Sequence, residues 1–140
     1  MTDYYTDLAE FARRYYRAFE VRDRGFFEAH MDDDFTFTSP YDDHIDREAY
    51  FERCWPNGER VRRFHFDAIA VNGDTAFVLY RCEMKGGDVF RNAEMLTFER
   101  NRLKSVDVFF GDPPAGVSKA EYPDFIEVAR QAWVQRLHSM

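Results

Sequence analysis

Apolar residues recur at spacings of three and four near the start of the chain, at Leu8, Phe11, Tyr15 and Phe19 with Ala12 and Ala18 beside them. That spacing predicts an amphipathic helix from about Asp3 to Val21, with Tyr15 on its buried stripe. Gly25 interrupts the pattern, and Phe26, Phe27, Ala29 and Met31 suit a second, shorter helix closed by Asp32, Asp33 and Asp34. The period then falls to two. Phe35, Thr36, Phe37, Thr38 and Ser39 alternate as a half-buried strand does, and Pro40, which has no N–H for a sheet ladder, stops it. After the polar turn Tyr41-Asp42-Asp43-His44, Asp46 can cap a third short helix through Ala49, Tyr50 and Phe51, ended by Trp55-Pro56.

From there the pattern is that of β structure. Val61 to Val71, Thr75 to Met84, Val89 to Glu99 and Leu103 to Phe110 are four runs separated by turns of hairpin size, a meander of long strands. Helices first and a meander after predict an α+β fold in which a curved antiparallel sheet is covered on one face by helices. Beyond Asp112-Pro113-Pro114, Ser118 and Glu121 have capping-box spacing, and Ile126, Ala129, Trp133 and Leu137 form an apolar stripe. An added C-terminal helix over about 115–138 is expected, and its stripe needs a surface on the parent domain or on another subunit.

The whole chain, 140 residues, fits one domain able to bury roughly 65–70% of its unfolded surface. Fifteen Phe, eight Tyr and two Trp are compatible with an aromatic-lined cavity or simply an aromatic-rich core. A net charge of −7 argues against a nucleic-acid partner, and the one dense basic run, Arg60, Arg62 and Arg63, reads as a solvated edge with Arg60 and Arg62 on one strand face. Cys54 and Cys82 read as reduced thiols. The longest apolar runs, such as Ala76 to Tyr80, are far below the ~20 residues of a membrane span, so a soluble, cytoplasmic protein without a membrane partner is expected.

The candidate chemistry is sparse. Alternation puts Asn92, Glu94, Leu96 and Phe98 on one strand face, and a Glu desolvated there would have a raised pKa and could serve as acid, base or hydrogen-bond donor. Tyr15 could offer a hydroxyl from the helix stripe. Asp42, Asp43 and His44 could supply a base and its orienting partner, although such turns often only satisfy their own backbone. His30, His44, His65 and His138 show no paired ligand spacing, and no phosphate loop, dinucleotide fingerprint or serine elbow is present, so neither metal nor cofactor is expected.

The order of elements, with strand, Pro, polar turn and short helix in succession, resembles the NTF2-like superfamily in its SnoaL-like branch over about residues 5 to 112. The resemblance implies a cone: a bent sheet wrapped around a long N-terminal helix, often paired as dimers through the sheet, so a homodimer is expected. Within that superfamily the ketosteroid isomerases place a helix Tyr, an Asp just before a Pro, and a second acid on a central strand around their pocket. Tyr15 falls on the first position, Ser39 on the second and Glu94 on the third. The base is thereby replaced by a Ser, which cannot shuttle protons near neutrality unaided. The resemblance implies a cone holding a small apolar molecule, with Ser39, Asn92, Phe19, Phe37, Trp55 and Phe110 as ligand-binding residues. Two functions remain open, acid–base isomerisation, cyclisation, dehydration or hydrolysis through Glu94 or the turn, and a non-catalytic ligand-binding or dimeric interaction module.

Overall fold

The computed structural model describes residues 7–112, together with Glu127, Gln131, Val134, Gln135, Leu137 and His138. Its elements are α1 (Leu8–Glu20), α2 (Arg24–His30), β1 (Met31–Thr38), β2 (Ile45–Asp46), α3 (Arg47–Arg53), a 3-10 turn (Trp55–Arg60), β3 (Val61–Asn72), β4 (Thr75–Met84), β5 (Val89–Glu99) and β6 (Arg102–Phe110). The expected C-terminal helix, and the first residues of the expected N-terminal one, lie outside the described residues except at those six positions.

α1, α2 and α3 each start on an aspartate. Asp7, Asp23 and Asp46 accept from the backbone N–H of Glu10, Phe26 and Ala49, so the first orphan donors are satisfied by side chains. α1 buries Phe11, Ala12, Tyr15, Tyr16 and Ala18, a stripe wide enough to hold two adjacent tyrosines. Glu20 at its end reaches across to β3, accepting from Phe64 N–H at 2.6 Å, and so ties helix to sheet.

Among the described residues, six strands form one sheet in the order β2-β1-β6-β5-β4-β3. The meander is antiparallel, but β1 runs parallel to β6, so the sheet is mixed rather than purely antiparallel. The long path from β1 through α3 and the meander to β6 makes this possible, since parallel neighbours need a long crossover. β1 also begins at Met31, ahead of the expected Phe35. Asp32, Asp33 and Asp34 belong to the strand rather than ending α2, with Lys104, Arg47 and Arg102 set against their carboxylates. A register shift between Val61 and Arg63 overturns the expected face alternation of the arginines: Arg62 and Arg63 are both exposed, and Arg60 lies in the 3-10 turn.

On the covered side, the rings of Phe11, Tyr15, Tyr16, Phe27, Tyr50, Trp55, Phe64 and Tyr80 pack on one another, with Tyr15 stacked on Phe27 at 4.7 Å and Phe64 edge-on to Tyr80 at 5.0 Å. Helices therefore cover one face of the sheet, and the aromatic residues fill the space between as core.

Candidate functional site

β5 carries Asn92, Glu94, Leu96 and Phe98 to the buried face, because side chains alternate and Phe98 and Leu96 must leave water. Glu94 is thereby only 8% exposed, opposite Val78 of β4 and Val108 of β6. One row along, Tyr80 and Asn92 are partners, and their polar ends meet the carboxyl. Asn92 Nδ2 donates to the Tyr80 hydroxyl at 3.2 Å, and that hydroxyl donates to Glu94 Oε2 at 2.5 Å. The Tyr16 hydroxyl leans on the same carboxyl from α1, but it is buried and has no hydrogen-bond partner of ordinary geometry. Burial raises the Glu94 pKa from an ordinary 4.5 to about 7, against the opposing pull of the Tyr80 and Tyr16 hydroxyls. Such a carboxyl exchanges its proton near neutrality.

The expected helix tyrosine is displaced by one position. Tyr15 is buried, but its hydroxyl bonds to that of Tyr50 of α3, whereas Tyr16 is the tyrosine turned to Glu94. Neighbouring helix residues point about 100° apart, and the sequence gives both tyrosines an apolar flank. Nothing local in β4 marks Tyr80 as the partner of Glu94. Tyr16, Tyr80 and Glu94 thus share one polar centre with Asn92.

The polar turn divides in two. Ser39 is buried, and its hydroxyl donates to Asp42 Oδ2 at 3.2 Å, while Asp42 Oδ1 meets Arg53 at 2.7 Å. This network lies beside Cys54, whose thiol is pushed up to about 12 chiefly by burial and then by Asp42, with a smaller contribution from Glu94. Asp43 and His44 go elsewhere. They meet each other at 2.7 Å with their side chains more than half exposed, and His44 adopts a left-handed φ of 51° while its N–H bonds Thr38 Oγ1. His44 acts on Asp107, which is paired in the sheet with outward Met95 and whose pKa is raised by burial and partly restored by His44. Asp43 and His44 are not brought to Glu94; the sheet lies between.

The apolar residues expected to bind a ligand are spread through the interior. Phe37 packs on Tyr50, and Phe110 shares the row of Asn92 and meets Tyr41 at 5.8 Å. Phe19 and Trp55 meet edge-on at 5.5 Å, where Arg22 covers the indole at 4.0 Å and donates to the Trp55 carbonyl. The seam between Phe11, Tyr15, Phe27 and Met31 has no room for a water molecule. A surface groove of about 400 Å³ lies outside the core, lined by Arg24, Glu28, Asp33, Asp46, Arg47, Glu48 and Phe51. Among the described residues, no three His, Cys, Asp or Glu side chains gather to hold a metal ion, and no helix is long and apolar enough to cross a membrane.

A family model for the SnoaL-like domain matches residues 12–108, which spans α1 to β6 and includes every residue of the polar centre. The chain belongs to the SnoaL-like family. Among functionally curated proteins none matches it. The SnoaL-like chain is similar in fold to an NTF2-like protein of unknown function from Cytophaga hutchinsonii, at 18% identity with a TM-score of 0.65 over 81% of this chain and 96% of that one. A provisionally described isomerase from Rhodopseudomonas palustris matches at 22% identity and a TM-score of 0.59, over 77% of this chain and 90% of that one. A provisionally described SnoaL-like polyketide cyclase from Mesorhizobium loti matches at 15% identity and 0.57, over 75% and 100%. At these identities the likeness establishes the NTF2-like fold, and chemistry must be argued from the residues.

Proposed function

We propose that this SnoaL-like chain binds a small, largely apolar organic molecule carrying a carbonyl or hydroxyl oxygen, and acts on it by proton transfer at Glu94. One observation carries the reading: a carboxyl buried among aromatic rings, with its pKa raised to about 7, beneath the hydroxyls of Tyr80 and Tyr16. The Tyr16 hydroxyl makes no hydrogen bond of ordinary geometry where it leans on Glu94, and a ligand oxygen seated between the two would give it one. Glu94 would then give or take the proton, Tyr80 would steady the charge, and Asn92 would hold Tyr80 in place. Isomerisation, cyclisation, dehydration and hydrolysis all need such a step without a redox partner. Since the rings of the interior touch one another, entry of the molecule requires some of them to turn aside.

A second reading, a ligand-binding module without turnover, is favoured by Ser39. Its hydroxyl is engaged with Asp42, and Asp42 with Arg53, so neither is free to serve as the missing base. Native mass spectrometry of freshly purified protein, with release and identification of any small molecule on denaturation, tests both. A bound apolar ketone, phenol or alcohol is expected, converted by the wild type and unconverted by Glu94→Gln. Bound molecule without conversion selects the module. A ligand-free mass, with no affinity for a panel of cyclic ketones and phenols, refutes both readings.

A further inference from the structure

The rings that close over Glu94 stand steeply to one another. Phe64 of β3 is edge-on to Tyr80 of β4 at 5.0 Å, and Tyr16 of α1 crosses Phe64 at 5.0 Å and 63° and tilts on Tyr80 at 5.4 Å. Phe66 of β3 adds a fourth wall, crossing Tyr16 at 5.4 Å and 66°. In such packing the positive edge of one ring rests on the negative face of the next. An alkylammonium ion offers the same sign of charge to the same face, so it can take the place of an edge.

Three of these walls are held and one is not. Phe64, Tyr16 and Tyr80 are buried, and both tyrosines turn their hydroxyls to Glu94. Phe66 is half-buried on the edge strand of the sheet, and the register of β3 against β4 shifts between it and Ala68. Such a break loosens the ladder locally and re-aims a side chain, so Phe66 is the ring best placed to turn out.

The charge at the bottom of this box has no counterion. The Tyr80 and Tyr16 hydroxyls act on Glu94, and Glu94 in turn acts on Tyr15 of α1, Tyr50 of α3, Cys82 of β4 and Cys54. All of these are hydroxyls or thiols. Its cross-strand neighbours, Val78 and Val108, are apolar, and Arg22 faces Tyr50 and Trp55 instead. Among the described residues, no Lys, Arg or His pairs with Glu94. Ionising Glu94 therefore leaves a bare anion among rings, a cost that a cation carried in by a ligand removes.

We propose that the Glu94 centre binds a small lipophilic amine as its ammonium ion, admitted where Phe66 turns out and paired with the Glu94 carboxylate among the rings of Tyr16, Phe64 and Tyr80. This ligand class goes beyond the oxygen-bearing molecule proposed above, and it rests on that reading only in that the interior opens to a guest.

N-methylpiperidine, with as many non-hydrogen atoms as the Phe66 side chain, is the probe, titrated into the full chain and followed by the line width of its N-methyl resonance. The amine stays protonated from pH 6 to 8, while the ionised fraction of a carboxyl with a pKa of about 7 rises from roughly one tenth to nine tenths, so Kd should fall about tenfold. Glu94→Gln should lose the binding, and Phe66→Ala, which leaves the entrance open, should tighten it several-fold. No binding to the wild type overturns the proposal, as does a Kd that stays flat or rises with pH; this holds even should Glu94→Gln fail to fold. Undiminished binding to a folded Glu94→Gln, or an affinity unchanged in Phe66→Ala, overturns it as well. Cyclohexanone, run alongside, keeps the two readings apart. Amine bound and ketone not supports this inference and counts against the oxygen-bearing ligand, whereas ketone bound and amine not overturns this inference alone.

Discussion

Glu94 should give the protein a pH dependence of stability that a single isosteric substitution abolishes. In the unfolded chain its carboxyl ionises at the ordinary 4.5, whereas in the fold burial holds it to about 7. Between those values the native state binds the proton more tightly, so raising the pH favours unfolding; the stability conferred by neutral Glu94 is complete below 4.5, falls through the window and is lost above about 7. At about 1.36 kcal/mol per pH unit, the loss is about 3 kcal/mol. Glu94→Gln keeps the shape and lets the Tyr80 hydroxyl still donate to an amide oxygen, while the new N–H group can donate to the Tyr16 hydroxyl that leans on this position. The variant should therefore retain its stability across the same window. Urea unfolding of both proteins from pH 4.5 to 8 isolates the effect, because every other residue is common to the two. The difference between the two curves should change by about 3 kcal/mol, or on the order of 10 °C in Tm for a domain of this size. Parallel curves would mean that Glu94 is solvated or charged in the native state, and the reasoning about its proton would fail with them.

Tyr80→Phe should raise the Glu94 midpoint above about 7, since the lost hydroxyl favours the ionised carboxyl, and should cost roughly 1–3 kcal/mol through the stranded Asn92 amide; ¹³C NMR of the Glu94 carboxyl reads the first and urea unfolding the second. Cys54 and Cys82 are both pushed up to about 12 by burial, so alkylation at pH 8 should be slow in the native protein and become rapid on unfolding; fast native labelling of either would contradict its burial. Gly58→Ala places a methyl 1.7 Å from Nη1 of Arg22, whose Nη1 and Nη2 donate to the Phe19 and Trp55 carbonyls respectively, and should destabilise the fold by roughly 1–3 kcal/mol, measurable as a lower urea midpoint; an unchanged midpoint would show that Arg22 moves away freely.

What the sequence discloses follows from the range of each interaction. The limits of β4 and the start of β5 can be read from a period of two beside Gly-containing turns, and the start of α3 from Asp46, because those signals act within a few residues. β1 is different. Asp32, Asp33 and Asp34 look like a stop until Lys104, Arg102 and Arg47, distant in the chain, are set against them, and no local pattern announces that pairing. Direction is hidden for the same reason. Tyr15 and Tyr16 are equally plausible inward residues until α1 is laid on the sheet, and the left-handed turn at His44 sends that ring outward although its neighbour Asp42 stays in. Glu94 remains legible throughout because it breaks a local rule: a charge stands where the alternation demands an apolar residue. A fold keeps such a violation at a cost that burial sets, and here the pKa near 7 measures that cost while making the group useful, so the misfit in the pattern is itself the best pointer to chemistry.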